Sequence, residues 1–546
     1  MMEERKKEEI KIIVLGGSGE NGKNMMVIEI DNQMFVLDAG IKYPSRSTPG
    51  IEYVIANYDY LKKNKSKIKG YIISHAHYYN YAAIPYIIDD CPAPIYCTEV
   101  TKFFLEFFIK KNNLKNNNLD FFTFDPSNSN KIKIGNVNFY FFPVCHNVSG
   151  SVGISIETSL GNIVYANEFI IENNNLNNFN MYNNSLLELA KQKTLLLMTS
   201  SLFSFRDGYT APHNRLTPLI ESFFDNQRRI VIALSLENIY GLLEVIRLAT
   251  LSNYKLFAYD RDTYFFWEQF KNIPGNNVPR GIVLQKNINS SDKTSLLIIL
   301  GDDREIYNKL SNLYLSSRNY FNFFAVKTTF ILALSTDKNN ELPHNELLNN
   351  LYKIRVDIVD VSKKYLEMLP SKEDLQNILF LFKPKYFLPI NGNFLLLTLS
   401  AQLAYQTGFL KYYENIFILE NGLGISITDK NIDFFKEKSG NILIEDGKKV
   451  SDIVINERIN MSKCGVIIVT VVVDKKHKKM IFKPEISLVG CNLYNNLQLI
   501  NKETINIVNN CFLENKDISK SLCYGLMKKL FKNSDASIIF PIVIEN

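Results

Sequence analysis

Along the first two hundred positions the apolar residues fall in short runs separated by glycines and polar pairs. "IKIIVLGG" (10–17), "NMMVIEI" (24–30) and "MFVLDAG" (34–40) predict three strands, the second and third joined by the polar turn Asp31-Asn32-Gln33. "GYIISHAH", "PIYCT", "KIKIGNVNFYFFPV", "SVGISIETSLGNIVYA" and "KTLLLMTSS" continue the strand rhythm. A helix is expected over 81–88, and the asparagine-rich stretch 173–184 reads as an exposed loop of low complexity.

From about residue 211 the period changes. "RRIVIALS" leads into the helical "ENIYGLLEVIRLATLS", then "YKLFAYD" into a helix around "TYFFWEQFKN". "TSLLIILGD" and "KTTFILALS" add apolar strands, an alternation that predicts an open α/β layer. "SKEDLQNILFLFK" reads as a helix capped by Ser371 with acids in its first turn, followed by the strand-like "YFLPINGN". The last hundred residues bring fresh strands, "VIIVTVVVD" and "SIIFPIVIEN", and form a candidate small domain.

Composition bounds the class. A chain of 546 residues, 46% hydrophobic and 22% charged, reads as a soluble multidomain protein. A net charge of +6 is too mild and too dispersed to argue for nucleic acid. No run is apolar enough to span a membrane, and seven scattered cysteines without a CxxC pair fit a reduced, cytoplasmic setting. "GSGENGKN" (17–24) imitates a phosphate-cradling loop. However, Asn24 stands where that loop needs Ser or Thr, and a strand follows instead of a helix, so it reads as a hairpin turn.

The chemistry is concentrated in few residues. Histidine occurs only six times, yet His75 and His77 end one apolar run and His146 ends another. Two histidines two apart on an extended segment point the same way. The polar chemistry then breaks off into Tyr78, Tyr79, Asn80 and Tyr81.

"VLGGSGENGKNMMVIE", "VLDAGIKYP", "IKGYIISHAH", "SVGISIETSLGNIVYANEF" and "FKPKYFLPINGN" together resemble the ribonuclease J family, bacterial ribonucleases with a metallo-β-lactamase domain and an inserted β-CASP domain. The tail segments "VTVVVDKK", "ISLVGCNLY" and "IIFPIVIE" resemble the family's C-terminal domain. The resemblance implies an αββα sandwich with an inserted α/β domain and a small α/β C-terminal domain. Its parts are expected at 1–210 and 356–445 (sandwich), 211–355 (insertion) and 446–546 (C-terminal oligomerisation domain). It also implies RNA hydrolysis, from a 5′ end or internally, by two zinc ions.

Carried over position by position, the family's site divides. Its H-x-H-x-D-H falls on His75, His77, Tyr79 and Asn80; the next histidine matches His146, and the bridging aspartate matches Glu168, one methylene longer and so expected to displace its oxygens. The aspartate after the "LLLMT" strand becomes Ser200, and the last histidine becomes Asn391. The H-x-S-G-H stretch becomes Tyr365-Leu366-Glu367-Met368-Leu369. One zinc's set survives as His75, His77, His146 and Glu168. The other's is lost, because tyrosine is protonated at neutral pH and asparagine offers a neutral carbonyl oxygen. At most one zinc per chain is expected.

The resemblance further implies RNA as partner, with Arg206, Asn238, Lys383 and Lys385 as candidate contacts. It implies association, as dimer or tetramer, with an intact paralog or with self. In the family's phosphate loop, now Gly301-Asp302-Asp303-Arg304-Glu305-Ile306, the two added acids are expected to repel a 5′ phosphate. The expected role is a weakly active or inactive subunit; a slow single-zinc ribonuclease and a non-catalytic RNA-binding scaffold are the alternatives.

Overall fold

The structure is a computed structural model that describes residues 8–44, 48–115, 119–128, 131–172, 184–276, 278–279, 281–286, 292–302, 305–315, 327–334, 341–353, 356–491, 493, 496–530 and 538–546. The chain forms two compact units, Met1–Tyr43 with Val54–Asn441, and Pro44–Tyr53 with Ile442–Asn546.

The first unit is a two-sheet sandwich with an α/β layer. One sheet has eight strands in the order Ile432–Lys436, Leu423–Ile427, Ile10–Gly16, Met25–Ile30, Gln33–Leu37, Ile68–Ile72, Ile95–Cys97, Phe121–Thr123. The other has six, from Tyr386–Ile390 through Thr194–Ser200, Asn162–Ala166, Val152–Ile156 and Val137–Pro143 to Lys131–Ile134. Their facing side chains make one core, in which Ile12, Ile28 and Phe35 of the first sheet meet Ile154, Met198 and Leu388 of the second. The helices Lys372–Phe382 and Phe394–Gln406 pack on the far side of the six-stranded sheet. Its central strands are therefore covered on both faces and read as unbroken apolar runs, "TLLLMTS" among them.

The third sheet is all parallel, in the order Lys255–Ala258, Ser295–Gly301, Arg229–Ser235, Thr328–Ala333, Asp357–Asp360. This is the open layer that the strand–helix alternation predicts. The structure agrees with the fold class expected from the sequence.

Three local features bear on the site. The Gly17–Asn24 segment is a turn between antiparallel strands, with Lys23 buried in an ion pair to Glu20 at 2.9 Å. The helix expected over 81–88 is instead two single turns, Tyr78–Tyr81 and Ile84–Ile87. Pro85 lacks an N–H and its ring would meet the Tyr81 carbonyl, so the first turn stops and a second begins. Ser371 heads its helix as expected, its N–H held by Asp374 Oδ2 at 3.0 Å. Of the asparagine-rich stretch, residues 173–183 lie outside the described residues.

The second unit centres on the strand Val466–Asp474, paired antiparallel with Glu485–Val489 and parallel with Ile538–Glu545. Ile467, Val469, Val471 and Val473 are buried with residues of the helices Leu497–Glu514 and Ile518–Leu530. The alternate residues Val466, Ile468, Thr470 and Val472 are half-exposed, the period-two pattern of a sheet covered on one face.

Candidate metal centre

The site lies where strands of the sandwich end. Ile68–Ile72 runs into Ser74-His75-Ala76-His77, Val137–Pro143 into His146, Asn162–Ala166 into Asn167-Glu168, and Tyr386–Ile390 into Asn391. Strand ends fixed in two packed sheets hold these side chains with little freedom.

His75, His77, His146 and Glu168 converge, with their donor atoms all within 4.8 Å of one another. Glu168 Oε2 lies 3.2 Å from His75 Nε2, 3.2 Å from His77 Nδ1 and 3.3 Å from His146 Nε2. In a tetrahedral site with bonds of about 2.0 Å, donor atoms stand about 3.3 Å apart. The extra methylene of Glu168 therefore does not take its oxygen away; Oε2 reaches all three imidazoles. Their rings stand 4.6–4.9 Å apart, mutually tilted by 64–70°.

The partners behind the ligands set their tautomers. Ser74 Oγ donates to Asp38 Oδ2 at 2.9 Å, so it accepts from His75 Nδ1 at 2.9 Å and leaves the Nε2 lone pair facing inward. Ser151 Oγ donates to Val148 O at 2.7 Å and stands 3.3 Å from His146 Nδ1, with the same consequence. Such outer partners orient metal ligands. Burial and the neighbouring His75 push His146 down to about 3, so it is neutral. Against burial, Glu237 and Glu168 push His77 up to about 9. Burial also opposes ionisation of Glu168, but the imidazoles around it hold the carboxyl well below the usual range. Three imidazoles and a carboxylate suit a borderline-soft divalent ion, which takes the lone pair now holding the His77 proton. The cluster can hold one metal ion.

The other half of the inherited constellation is different in kind. Asn80, fully buried, accepts at Oδ1 from Asn24 Nδ2 at 2.6 Å and from Asn167 Nδ2 at 3.3 Å. Asn167 also donates to Asp38 Oδ2 at 3.2 Å and accepts from Asn391 Nδ2 at 2.5 Å. Four asparagines thus close a buried chain of amides. Its end touches the histidine cluster, where Asn80 Nδ2 lies 2.6 Å from His75 Nε2. The Asn80 and Asn167 oxygens already accept hydrogen bonds, whereas Asn24 Oδ1 is buried without a partner, and neutral amides do not fit a zinc ion. The Tyr79 ring lies over Gly22, where a Cβ would stand 2.8 Å from it. Gly40 fixes the turn from behind: a Cβ there would lie 1.5 Å from the Tyr79 carbonyl oxygen, which accepts instead from Asn24 N at 2.9 Å. Ser200 is buried, its N–H bonded to Asn167 O at 2.9 Å.

A cavity of about 110 Å³ opens beside the cluster, lined by His77, Tyr79, Glu168, Glu237, Glu367 and Leu369 among others. Three carboxylates on one small cavity make it unfriendly to a phosphate. Asn238 lines it too, but caps the helix Ile239–Leu251 through Gly241 N at 2.9 Å and holds Tyr365 OH at 3.0 Å. Arg206 follows the strand Thr194–Ser200 and keeps a buried Nε without a hydrogen-bond partner. Lys383 and Lys385 are not brought to the cavity. They are exposed and stand before the strand Tyr386–Ile390, at the opposite end from Asn391, about 15 Å along it. Asp302, expected to repel a phosphate, is compensated by Lys111 Nζ at 3.3 Å; Asp303 and Arg304 lie outside the described residues.

Sequence reasoning missed Asn24, Asp38, Asn167 and Glu237. Only Asn167 carried a signal, through its place beside Glu168 in "ANEF".

Known proteins resemble the chain along most of its length. Residues 453–546 match the Ribonuclease J C-terminal domain. Ribonuclease J 2 of Staphylococcus epidermidis is 29% identical over 495 residues, 89% of this chain and 87% of that protein. Ribonuclease J 2 of Staphylococcus aureus is 28% identical over 499 residues, with the same shares of each chain.

The chain is similar to ribonuclease J proteins along most of its length.

A solved protein of unknown function from Enterococcus faecalis shares the fold, with a TM-score of 0.50 at 15% identity, over 77% of this chain and all of that one. As a ribonuclease J-like protein the chain has two kinds of site residue. His75, His77, His146 and Glu168 form a donor set; Asn80 and Asn391 belong to the amide chain beside it, Ser200 is buried, and Tyr79 and Leu369 line the adjoining cavity. No helix among the described residues is long and apolar enough to cross a membrane.

Proposed function

We propose that this ribonuclease J-like protein of RNA processing and decay carries one zinc ion per chain on His75, His77, His146 and Glu168, and works as a weakly active or inactive subunit beside an intact paralog. The buried chain Asn24–Asn80–Asn167–Asn391 carries the proposal. It stands in the place that the resemblance gives to a second metal, and its Asn80 and Asn167 oxygens are already taken by hydrogen bonds.

Bound zinc supplies charge that polarises a phosphoryl oxygen and lowers the pKa of water. The residues of this chain supply less than such a reaction needs. Glu168 anchors the histidines, Glu237 and Glu367 repel the phosphodiester, and Leu369 offers neither proton nor hydrogen bond where the family has a histidine. Two-metal phosphodiester hydrolysis divides its work between the ions, and groups that act together are not additive when one is lost. Turnover of 5′-monophosphorylated RNA is expected to be about a thousandfold or more below that of an intact ribonuclease J. Turnover within tenfold, abolished by His77→Ala, would establish a single-zinc ribonuclease instead. That reading draws on the cavity, which keeps His77 and Glu168 on its wall.

RNA contacts fall to Arg206 and Asn238 in this proposal, and the division into sandwich, insertion at 211–355 and C-terminal domain from 446 is part of it. Association with the paralog is assigned to the second unit. There the half-exposed face of Val466–Asp474 continues in register onto the exposed Phe540, Ile542 and Ile544. A paired substitution, Ile542→Lys with Ile544→Lys, should abolish co-purification with an intact paralog; undiminished co-purification would refute the assignment.

A further inference from the structure

Two helices carry paired phenylalanines, "EVTKFFLEFFIKK" (99–111) and "RDTYFFWEQF" (261–270). Phe103 and Phe104 of the first pack against Phe266 and Phe270 of the second, with ring centroids 5.6–6.1 Å apart. This buried cluster fixes the two helices against each other. Beyond it, both helices face a common cavity of about 370 Å³, each with a ring and a cation. Phe107, Lys110 and Lys111 stand at i, i+3 and i+4 on one helix. Arg261, Phe265 and Gln269 stand at i, i+4 and i+8 on the other, so each trio shares a face.

The cavity lies at the carboxyl ends of three neighbouring parallel strands. Leu236 follows Arg229–Ser235, Leu300 lies at the end of Ser295–Gly301, and Arg261 comes just after Lys255–Ala258. Open α/β layers bind their ligands at that end. The cations of the floor are already paired. Lys111 holds Asp302 at 3.3 Å and Glu305, and Lys309 holds Asp260 at 2.8 Å and Glu305 at 3.1 Å. Lys110 and Arg261 remain; both are exposed, and among the described residues neither forms an ion pair. The Arg261 guanidinium stands 5.0 Å from the centroid of the Phe265 ring, itself 40% exposed.

We propose that this cavity binds a single nucleotide, its base stacked on Phe107 and Phe265 and its phosphate held by Arg261 and Lys110. The chemistry of the lining selects the occupant. A bare phosphate leaves both rings unused, and an apolar molecule covers two cations without pairing them. A nucleotide engages every group. Bases of any sequence stack on aromatic rings, and a guanidinium matches phosphate oxygens in a fork. Gln269 offers a base edge both a donor and an acceptor, and Asp262 offers an acceptor to ribose hydroxyls. The volume suits one such ligand, since small-molecule cavities begin near about 300 Å³. A free nucleotide and one residue of a single strand present this same chemistry. No lining residue is shared with the cavity beside the histidine cluster, so nucleotide binding here does not rest on the nuclease reading.

The test titrates the full-length protein with adenosine 5′-monophosphate, adenosine and ribose 5-phosphate by calorimetry. The monophosphate should bind at least about tenfold more tightly than either fragment. Phe265→Ala and Arg261→Gln should each weaken it at least about tenfold with circular dichroism unchanged, while Phe265→Tyr keeps the wild-type affinity. A 5′-hydroxyl hexa-adenylate separates the two sources. Competition with the monophosphate, lost in Phe265→Ala, assigns the site to a strand; absence of competition assigns it to a free nucleotide. No binding of the monophosphate at millimolar concentration would overturn the proposal. So would equal affinity for ribose 5-phosphate, or wild-type affinity in a folded Phe265→Ala or Arg261→Gln chain.

Discussion

The two halves of the candidate site are built on different physics. In one half, the nitrogens of three imidazoles and Glu168 Oε2 converge on a point, and Ser74 and Ser151 fix the tautomers of His75 and His146. Such an arrangement suits a cation, since it otherwise buries a carboxylate and a charged His77. In the other half every amide has found a neighbour, and Asn80, Asn167 and Asn391 are nearly or fully buried and hydrogen-bonded to one another. Losing a metal ligand leaves a buried polar vacancy that costs stability unless something fills its hydrogen bonds. The asparagines fill them. The contrast separates a site waiting for an ion from one closed to it.

Reversing the closed half gives the largest expected effect. Tyr79→Asp, Asn80→His and Asn391→His together, with Glu168→Asp, should admit a second ion and raise RNA turnover at least a hundredfold. A folded variant that binds two ions without gain in turnover would show that Leu369, Glu237 or Glu367 limits the chemistry.

A smaller effect isolates the amide chain itself. Asn167→Leu strands Asn391 Nδ2 and half of Asn80 Oδ1, and should cost about 1–3 kcal/mol in chemical denaturation. An unchanged stability would mean that the four asparagines are neighbours without being a network. The smallest effect concerns RNA. Arg206→Ala should weaken single-stranded RNA binding about three- to tenfold, whereas Lys383→Ala with Lys385→Ala should change it less than twofold. The reverse order would move the RNA path to the far end of the sandwich.

Much of this was legible in the sequence, for identifiable reasons. Strands buried on both faces announce themselves as unbroken apolar runs, and the parallel layer by its strand–helix alternation. His75, His77, His146 and Glu168 could be placed because each ends or follows such a run. The split of 78–87 into two turns hinged on a steric rule at Pro85 that overrides periodicity. The amide chain was invisible because Asn24, Asn80, Asn167 and Asn391 are far apart in sequence, in a chain where asparagine is everywhere. Lys383 and Lys385 misled because charge near a motif says nothing about which end of the strand it occupies.

The most direct test of the central claim is metal stoichiometry of the purified full-length protein by elemental analysis, after equilibration with excess zinc and removal of loosely bound ions. One zinc per chain, falling to none in His75→Ala/His77→Ala, is the predicted result. Two per chain in the wild type would contradict it, because the asparagine half would then have to yield a binding place that its hydrogen bonds deny.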